Sequence, residues 1–277
     1  MDFFKMQGCG NDYIYFDCFD TIISNPDQLS IRLSDRHFGI GGDGIVLILP
    51  SSIADARMRM FNADGSEGRM CGNAIRCVAK YLYESGRVKQ DRILVETPSG
   101  VKELCLSITA GSVSGVCVDM GRAEFSPSLI PVLLKGEQVI NHPLEVGGEP
   151  YPVTCVSMGN PHCVVFVDDP QKFPLEAVGP LFEHHAAFPE GINTEFVRVD
   201  DERTLTMRVW ERGSGETLAC GTGACASAAA AVANGYCQGG QEITVHLRGG
   251  DLLIKVTDET VFMTGSAEFV FSGTVAI

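Results

Sequence analysis

The sequence predicts an α+β protein built from two pseudo-symmetric α/β domains with mostly antiparallel or mixed sheets. Three observations support this prediction. A strand, loop, cysteine and helix segment occurs twice, the predicted strands come in runs, and the 277 residues, 45% of them hydrophobic, suffice for two cores. A Rossmann sheet is disfavoured because it requires strict alternation of strands and helices.

The repeated segment begins at Met58 in the first copy and at Met207 in the second. In each copy a short apolar strand leads into a polar loop, and a Cys-Gly pair then opens a helix. Cys71 and Cys220 follow these methionines by the same 13 positions (71 − 58 and 220 − 207). A cysteine in front of unpaired helix N–H groups lies in positive potential, so we expect a lowered thiol pKa and affinity for anions.

An offset of 149 positions (207 − 58) aligns the two halves beyond the cysteines. It places Asn11 on Asn160 and Gly100 on Gly249, all in predicted loops. Apolar periodicity alone would not match such loop positions, so an internal repeat is favoured over chance similarity. We predict an N-terminal domain over 1–118, completed by a terminal strand at 267–277, and a C-terminal domain over 119–266.

The individual elements follow from hydrophobic periodicity and from turn residues. In the first half we predict a turn-rich loop at 6–12, a strand at 13–16, a helix at 29–37, strands at 45–49 and 58–62, a helix at 74–83, and strands at 93–95, 101–108 and 113–118. In the second half we predict strands at 152–157, 163–167, 196–199 and 207–211, an Ala-rich helix ending at Asn234-Gly235, and strands at 243–247 and 252–256.

Composition excludes several classes of partner. The chain has 21 Lys and Arg against 35 Asp and Glu, a net charge of −14, which opposes binding to nucleic acid. No apolar run reaches the length of a membrane span, and the N-terminus lacks a signal-peptide pattern. Eleven cysteines without scaffold-like spacing are typical of a reducing compartment. We therefore expect a cytoplasmic protein with no nucleic-acid or membrane partner.

Two motifs could indicate other ligands. The glycines of 39–44 match the dinucleotide-binding pattern, but the apolar strand follows them instead of preceding them, so a tight loop near a ligand is favoured. A zinc site is conceivable, but no closely spaced cysteine pair of the zinc-binding type exists. We expect no metal and no cofactor, and we expect the remaining cysteines to fill the core: Cys9, Cys18, Cys77, Cys105, Cys117, Cys155, Cys163, Cys225 and Cys237.

Two thiols in matched positions suit an inversion of stereochemistry. One thiolate removes a proton from a carbon as a base, and the other thiol supplies a proton to the opposite face as an acid. The helix-start amides of Gly72, Asn73, Gly221 and Thr222 would hold a carboxylate and stabilise charge on the carbon that loses its proton.

Further motifs accompany the thiols over nearly the whole chain. They are Gly-Cys-Gly-Asn-Asp at 8–12, Phe-Asn-Ala-Asp-Gly-Ser at 61–66, Met-Cys-Gly-Asn at 70–73 with Arg76, Glu-Thr at 96–97 with Gly100, Gly-Asn-Pro-His at 159–162, Gly-Ile-Asn-Thr-Glu at 191–195, Trp-Glu-Arg-Gly at 210–213 and Ala-Cys-Gly-Thr-Gly at 219–223. In this order they resemble the diaminopimelate epimerases, pyridoxal-phosphate-independent enzymes that interconvert LL- and meso-2,6-diaminopimelate for lysine and peptidoglycan synthesis.

The resemblance implies a role for each candidate residue. Cys71 and Cys220 would be the acid/base thiols, and His162 and Glu211 would help to set their protonation. Arg212 would bind the distal carboxylate of the substrate. The substrate would be held by these residues: Asn11, Asn62, Asn160, Asn193, Glu211 and Arg212. The resemblance also implies sheets wrapped round a central helix, an active site in the cleft between the domains, and a homodimer.

Two departures from the family pattern and two alternatives stay open. Ala74 stands where many members have Gly, which leaves the helix amides in place, and Gly44 stands where many have Gln, which puts one side-chain contact in doubt. A proline-type racemase would share the plan but lack the set of Asn62, Asn193, Glu211 and Arg212. A binding module without catalysis is disfavoured because both thiols are retained.

Overall fold

A computed structural model of the chain describes residues 1–276. They form two compact units, Met1–Asp119 together with the chain from Thr264 onward, and Met120–Met263. These units are defined by packing alone, so the predicted domains, 1–118 with 267–277 and 119–266, stay a prediction. None of the helices in the described part of the chain has the length and apolar character needed to cross a lipid bilayer.

The elements of the first unit are β1 (Asp2–Gly8), β2 (Asn11–Asp17), α1 (Pro26–Ser34), β3 (Gly44–Leu49), β4 (Ala56–Asn62), β5 (Glu67–Gly68), α2 (Gly72–Glu84), β6 (Arg92–Thr97), β7 (Gly100–Thr109) and β8 (Ser112–Asp119). Those of the second are β9 (His142–Val146), β10 (Glu149–Ser157), β11 (Pro161–Phe166), α3 (Leu175–Glu183), β12 (Asn193–Asp201), β13 (Thr204–Glu211), β14 (Gly215–Thr217), α4 (Gly221–Ala233), β15 (Glu242–Leu247), β16 (Gly250–Val256) and β17 (Val261–Gly265), which reaches the unit boundary. The last strand, β18 (Glu268–Thr274), belongs to the first unit.

Both units contain a mixed sheet, and the strands from β1 to β7 are paired in the same order as those from β10 to β16. In the first, pairing runs β18–β1–β2–β3–β4–β6–β7–β8 with β5 also on β4, and β2–β3 and β4–β6 are the parallel pairs among these. In the second, pairing runs β9–β10–β11–β12–β13–β15–β16 with β14 also on β13, and β11–β12 and β13–β15 are the parallel pairs. The predicted fold class, two pseudo-symmetric domains with mixed sheets, is confirmed.

The strand register repeats with the sequence offset. Tyr15 pairs with Val46 in β2–β3, and Val164 pairs with Glu195 in β11–β12. Each residue of the second pair lies 149 positions after its counterpart in the first. The offset therefore relates equivalent backbone positions, so the side chains at these positions can be compared directly.

One central helix packs against the strands of each sheet. α2 packs against β1, β2, β6, β7 and β8, and α4 packs against β10 to β13, β15 and β16. α4 is rich in alanine and buried on most sides, because small side chains let several strands approach its backbone. Each helix is followed by a glycine in the left-handed region, Gly86 (φ 77°) and Gly235 (φ 75°), where glycine costs least.

The prediction of a loop at 6–12 is wrong except for its two central residues. β1 continues to Gly8, and β2 begins at Asn11, directly opposite. Only Cys9 and Gly10 form the turn, with φ of 53° and 81°. Two consecutive positive φ values are typical of a tight two-residue hairpin, whose twist matches that of the flanking strands. Pairing of β1 with the remote strand β18 supports the extension.

The helix predicted at 29–37 is displaced toward the N-terminus. It begins at Pro26, since proline is favoured in the first helical turn, and it ends at Ser34. The Asp35 carboxylate accepts the backbone N–H groups of His37 and Phe38, both at 2.7 Å, and so replaces helical hydrogen bonds by a turn. Sequence periodicity also missed α3, which contains an internal proline, and strands β1, β9 and β17, whereas β18 lies within the terminal strand predicted at 267–277.

The expectation that nine cysteines fill the core is wrong for Cys105. Its side chain is exposed and Cys117, its partner in the β7–β8 register, is half-buried. The other seven are buried. A strand with one face in water exposes alternate residues, and Cys105 falls on that face.

Candidate active site: two half-sites

Cys71 occupies the N-cap position of α2, with extended backbone (φ −136°, ψ 119°). Its sulfur accepts the backbone N–H of Ala74 at 3.5 Å, and its thiol donates to Oδ1 of Asn11 at 3.4 Å. The side chain is half-buried. Alanine at position 74 thus leaves the helix-start amide available to the sulfur.

Asn11 is held in place by a residue that the sequence did not assign to the site. Its Nδ2 donates to Oδ2 of Asp43 at 2.7 Å, and Asp43 also accepts the backbone N–H of Asp12 at 3.0 Å. Burial raises the pKa of Asp43. The hydrogen bonds from Asp12 and Asn11 and the charge of Arg36 lower it, but burial has the larger effect. The signal for this residue was an acidic side chain between Gly42 and Gly44 of the glycine-rich segment 39–44.

Three further residues, Asn62, Gly72 and Asn73, complete the group around Cys71 and Asn11, which we call the first half-site. Asn62 ends β4; its Nδ2 donates to Oγ of Ser66 at 3.0 Å, and the Tyr13 hydroxyl donates to its Oδ1 at 3.5 Å. Gly72 and Asn73 are buried at the start of α2, where backbone N–H groups have no intrahelical acceptor. Within residues 1–276, the buried Oδ1 of Asn73 has no hydrogen-bond partner.

The backbone itself forbids a side chain at Gly44. A Cβ there would lie 2.0 Å from the carbonyl oxygen of Phe61 and 2.7 Å from the ring of Tyr13. Gly44 pairs with Tyr13 on one side and with Asn62 on the other. Gly44 therefore contributes no side-chain contact to this half-site.

Cys220 has the same position and geometry in the second unit. It is the N-cap of α4 with extended backbone (φ −120°, ψ 110°), and its sulfur accepts the backbone N–H of Gly223 at 3.3 Å. The Thr222 hydroxyl lies 3.5 Å from the sulfur. Gly221 and Thr222 form the start of the helix, as predicted.

Two carboxylates surround this thiol. Glu211 ends β13 and accepts a short hydrogen bond from the hydroxyl of Thr217. Burial raises the pKa of Glu211. The hydrogen bond from Thr217 and the charge of His162 lower it, but burial has the larger effect. Burial likewise raises the pKa of Cys220 well above its ordinary value, and the negative charges of Glu211 and Glu195 raise it further.

The expectation of a lowered thiol pKa is therefore wrong for Cys220. Hydrogen bonds from Thr222 and from the Gly223 N–H lower the pKa, but desolvation and two carboxylates outweigh them. A cysteine at a helix start is acidic only where the rest of its surroundings does not oppose the thiolate.

His162 is completely buried and has a partner on both ring nitrogens. Its Nδ1 lies 2.7 Å from Oε1 of Glu195, and its Nε2 lies 3.0 Å from Oδ1 of Asn160. Nδ2 of Asn160 donates to the Thr222 hydroxyl at 3.3 Å. A chain of contacts thus runs from Glu195 through His162, Asn160 and Thr222 to Cys220. The sequence did not assign Glu195 to the site, although it ends the motif at 191–195.

Asn193 and Arg212 lie together at the ends of β12 and β13. Oδ1 of Asn193 accepts the backbone N–H of Arg212 at 3.0 Å, and its Nδ2 donates to the carbonyl of Pro161 at 2.8 Å. The Arg212 side chain is exposed, and its Nη1 donates to the carbonyl of Glu190 at 2.9 Å. The guanidinium keeps further donors for a ligand.

The two half-sites share a backbone but differ in chemistry. At equivalent positions the first has Tyr13, Val46 and Asn62, and the second has His162, Glu195 and Glu211. The second half-site thus adds two carboxylates and an imidazole that the first does not have. The repeat provides the scaffold, and substitutions at three matched positions provide the asymmetry.

Comparison with known proteins gives a consistent picture. The sequence pattern of the diaminopimelate epimerase family matches residues 3–126 and 154–270. A diaminopimelate epimerase of Acetivibrio thermocellus is 53% identical over 99% of this chain and 98% of its own length. One from Methanococcus maripaludis strain C5 is 51% identical over the full length of both chains.

Solved structures share the fold at much lower identity. A phenazine biosynthesis protein of the PhzF family from Bacillus anthracis has a TM-score of 0.75 at 17% identity, covering 100% of this chain and 99% of its own. A probable proline racemase from Agrobacterium radiobacter has a TM-score of 0.72 at 15% identity, covering 100% and 93%. At such identity the likeness concerns the fold alone.

Proposed function

The chain belongs to the diaminopimelate epimerase family, and on that basis we propose that it interconverts LL- and meso-2,6-diaminopimelate without a cofactor. A thiolate removes the α-proton from one face of the substrate, and a thiol delivers a proton to the other face. The reaction would serve the synthesis of lysine and of peptidoglycan precursors.

One observation carries this proposal. Cys71 and Cys220 are the N-caps of equivalent helices, and each sulfur accepts the N–H three residues further on, from Ala74 and Gly223. A cysteine that only fills a core needs no such position. Two thiols presented in the same way at equivalent places fit a reaction that needs two proton-carrying groups of one kind.

The surroundings of Cys220 suit the acid of this pair. Burial and the neighbouring carboxylates raise its pKa and so favour the protonated thiol over the thiolate. In the direction in which Cys220 is the acid, Cys71 is the base that accepts the α-proton, and the roles exchange in the reverse reaction. Glu211 and His162 would set the protonation of the thiols through charge and hydrogen bonds.

The substrate's α-carboxylate would bind at the helix starts. The amides of Gly72, Asn73, Gly221 and Thr222 lie in first turns, where N–H groups lack intrahelical acceptors and the helix dipole favours negative charge. The same dipoles would stabilise the negative charge that develops when the α-proton leaves.

The ammonium groups and the distal carboxylate of the substrate would be bound by different side chains. The amides of Asn11, Asn62, Asn160 and Asn193 and the carboxylate of Glu211 would hold the ammonium groups and orient the chain. Arg212 would bind the distal carboxylate, because a planar guanidinium matches a carboxylate with two parallel hydrogen bonds.

The direct test is proton exchange. Reduced protein is incubated with LL-diaminopimelate in heavy water, and α-deuteration and the meso isomer are followed by NMR and chiral chromatography. We expect both signals from the wild type, and neither from Cys71→Ala or Cys220→Ala. Cys105→Ala, which alters an exposed cysteine of β7, is the matched control and keeps full activity.

Other outcomes would contradict the proposal in different ways. Exchange with proline and none with diaminopimelate would retain the mechanism and reject the substrate. Substrate binding without exchange would favour a binding module. Activity in either alanine variant would reject the two-thiol mechanism.

A homodimer is the second part of the proposal. Phe269, Val270 and Phe271 of β18 are 53%, 52% and 42% exposed, an unusual run of large apolar side chains for a surface strand. We expect Val270→Asp to yield a monomer in size-exclusion chromatography with light scattering, while Val101→Asp on β7 keeps the wild-type mass. A monomeric wild type would reject this part.

A cytoplasmic location is the third part. Eleven cysteines, two of them needed as thiols, suit a reducing compartment. Cell fractionation with an antibody to the chain would show it in the cytoplasmic fraction, and an extracellular signal would contradict this.

A further inference from the structure

We propose that Glu195 is a positioning residue of the second half-site, whose carboxylate fixes both the His162 imidazole and the first turn of α4 and so holds the sulfur of Cys220 in place. The inference deepens the epimerase function proposed above and rests on it. It concerns a residue that touches neither the substrate nor the reacting carbon and acts through its neighbours.

The first support is a carboxylate where packing alone would favour an apolar side chain. Glu195 is in the interior of β12, and neither it nor His162 is exposed to solvent. The equivalent strand position of the first unit carries Val46, which fills the same kind of site without a polar group. A buried carboxylate is costly unless it is bonded. Oε1 of Glu195 is bonded to His162, and within residues 1–276 its Oε2 has no hydrogen-bond partner.

The second support is the bond to His162. Oε1 of Glu195 lies 2.7 Å from Nδ1, which fixes the plane of the ring and directs Nε2 at Asn160. Asn160 in turn donates to Thr222 beside the sulfur of Cys220. Histidines that act in catalysis or metal binding are oriented in this way by a carboxylate on the second nitrogen.

The third support is the contact with the helix start. A Cβ at Gly223 would lie 2.6 Å from Oε1 of Glu195 and 3.2 Å from its Cδ, so only glycine lets the first turn approach the carboxylate. In the first unit, where Val46 replaces the carboxylate, the equivalent helix position is Ala74. The positive end of the α4 dipole stabilises the buried charge.

The contact reaches Cys220 directly, because the N–H of Gly223 is the donor that binds its sulfur. The charged and polar groups that face Cys220 are Glu211 on β13, Glu195 on β12, and Thr222 with the Gly223 N–H on α4. Burial and Glu211 raise the pKa of Cys220, and the charge of Glu195 adds to them. Loss of that charge must make the thiolate easier to form.

The first experiment measures Cys220 itself. In Glu195→Gln, which keeps the shape and removes the charge, alkylation of Cys220 by iodoacetamide is followed against pH by peptide mass spectrometry. We expect the midpoint to move to lower pH, together with at least a tenfold fall in kcat and little change in KM. Glu195→Asp keeps the charge and retains part of kcat.

The matched control is Glu183→Gln. Glu183 is another buried carboxylate of the second unit, and it accepts Nε1–H of Trp210 at 2.7 Å and the N–H of Gly213 at 2.8 Å. It is not among the groups that shift the pKa of Cys220. We expect its loss to lower thermal stability without moving the alkylation midpoint. A midpoint and a kcat unchanged from the wild type in Glu195→Gln would overturn the proposal.

A second experiment approaches the same contact from the helix and does not depend on how well Glu195→Gln folds. Gly223→Ala places a methyl group against the carboxylate and is expected to reduce kcat. Adding Glu195→Asp withdraws the carboxylate by one methylene and is expected to restore part of the lost activity. Independent losses that multiply in the double variant would show that the contact does not position Cys220.

The two proposals fail in different ways. Alkylation of Cys220 needs no substrate, so it reports on Glu195 even if the wild type does not exchange diaminopimelate. Suppose that the wild type shows no exchange with diaminopimelate, while the alkylation midpoint of Cys220 is shifted in Glu195→Gln. This result would reject the proposed substrate and retain the role of Glu195 at the thiol.

Discussion

The sulfur of Cys220 lies 3.3 Å from the backbone nitrogen of Gly223, as the sulfur of Cys71 lies 3.5 Å from that of Ala74. A side chain that caps a helix usually accepts through oxygen, and here sulfur takes that place twice. Since the cap fixes the sulfur relative to the first turn, each thiol is held beside the amides proposed to bind the substrate's carboxylate. Capping and catalysis can therefore be separated by substitution.

Serine at either cysteine separates them. Serine is a good N-cap, so Cys71→Ser and Cys220→Ser should keep the helices and the melting temperature. It is a much weaker acid than cysteine, so we expect kcat to fall by about 10²- to 10⁴-fold, the usual contribution of one acid/base group. Steady-state assays and thermal melts of both variants measure this. A variant with wild-type kcat would remove that cysteine from the mechanism.

Glu211→Gln should move the titration of Cys220 to lower pH. A negative charge beside a thiol disfavours the thiolate and raises its pKa, so removing the charge lowers it. Among the charges acting on Cys220, that of Glu211 has the larger effect and that of Glu195 the smaller. We therefore expect the alkylation midpoint of Glu211→Gln to fall below that of Glu195→Gln.

The control for this prediction is Glu149→Gln on the exposed start of β10, which should leave the midpoint unchanged. A shift of Glu211→Gln to higher pH would mean that the carboxyl group is uncharged next to the thiol.

Arg212→Ala should weaken binding more than turnover. Hydrogen bonds to a charged group contribute about 1.5–3 kcal/mol, so we expect KM to rise roughly 10- to 150-fold with a smaller change in kcat. Initial rates over a range of diaminopimelate concentrations measure both constants. Arg203→Ala, at the exposed turn between β12 and β13, should behave as the wild type. A fall in kcat at constant KM would place Arg212 in the chemical step instead.

Gly44→Ala tests whether the backbone around Gly44 leaves no room for a side chain. The added Cβ would meet the Phe61 carbonyl at 2.0 Å, and overpacking of this kind costs about 1–3 kcal/mol or more in the free energy of unfolding. Urea denaturation measures the loss. Gly115→Ala is the control, because its nearest contact would be at 3.8 Å, and its cost should stay within about 1 kcal/mol. Equal stability of both variants would show that the β3–β4 backbone can shift.

The features that are local or repeated could be predicted from the amino-acid sequence. The offset of 149 matched Asn11 with Asn160 and Cys71 with Cys220, and the Cys-Gly pairs located both helix starts, because capping and turn chemistry depend on near neighbours in the chain. Family motifs then assigned the candidate roles.

The surroundings of these groups depend on the tertiary fold. β1 pairs with β18 across almost the whole length of the chain, and Glu195 meets Gly223 from a different strand. The pKa of Cys220 rises although its helix start alone would lower it. Burial and charge at a site are sums over neighbours that are remote in sequence, so a pattern of nearby residues can place a thiol but cannot fix its acidity.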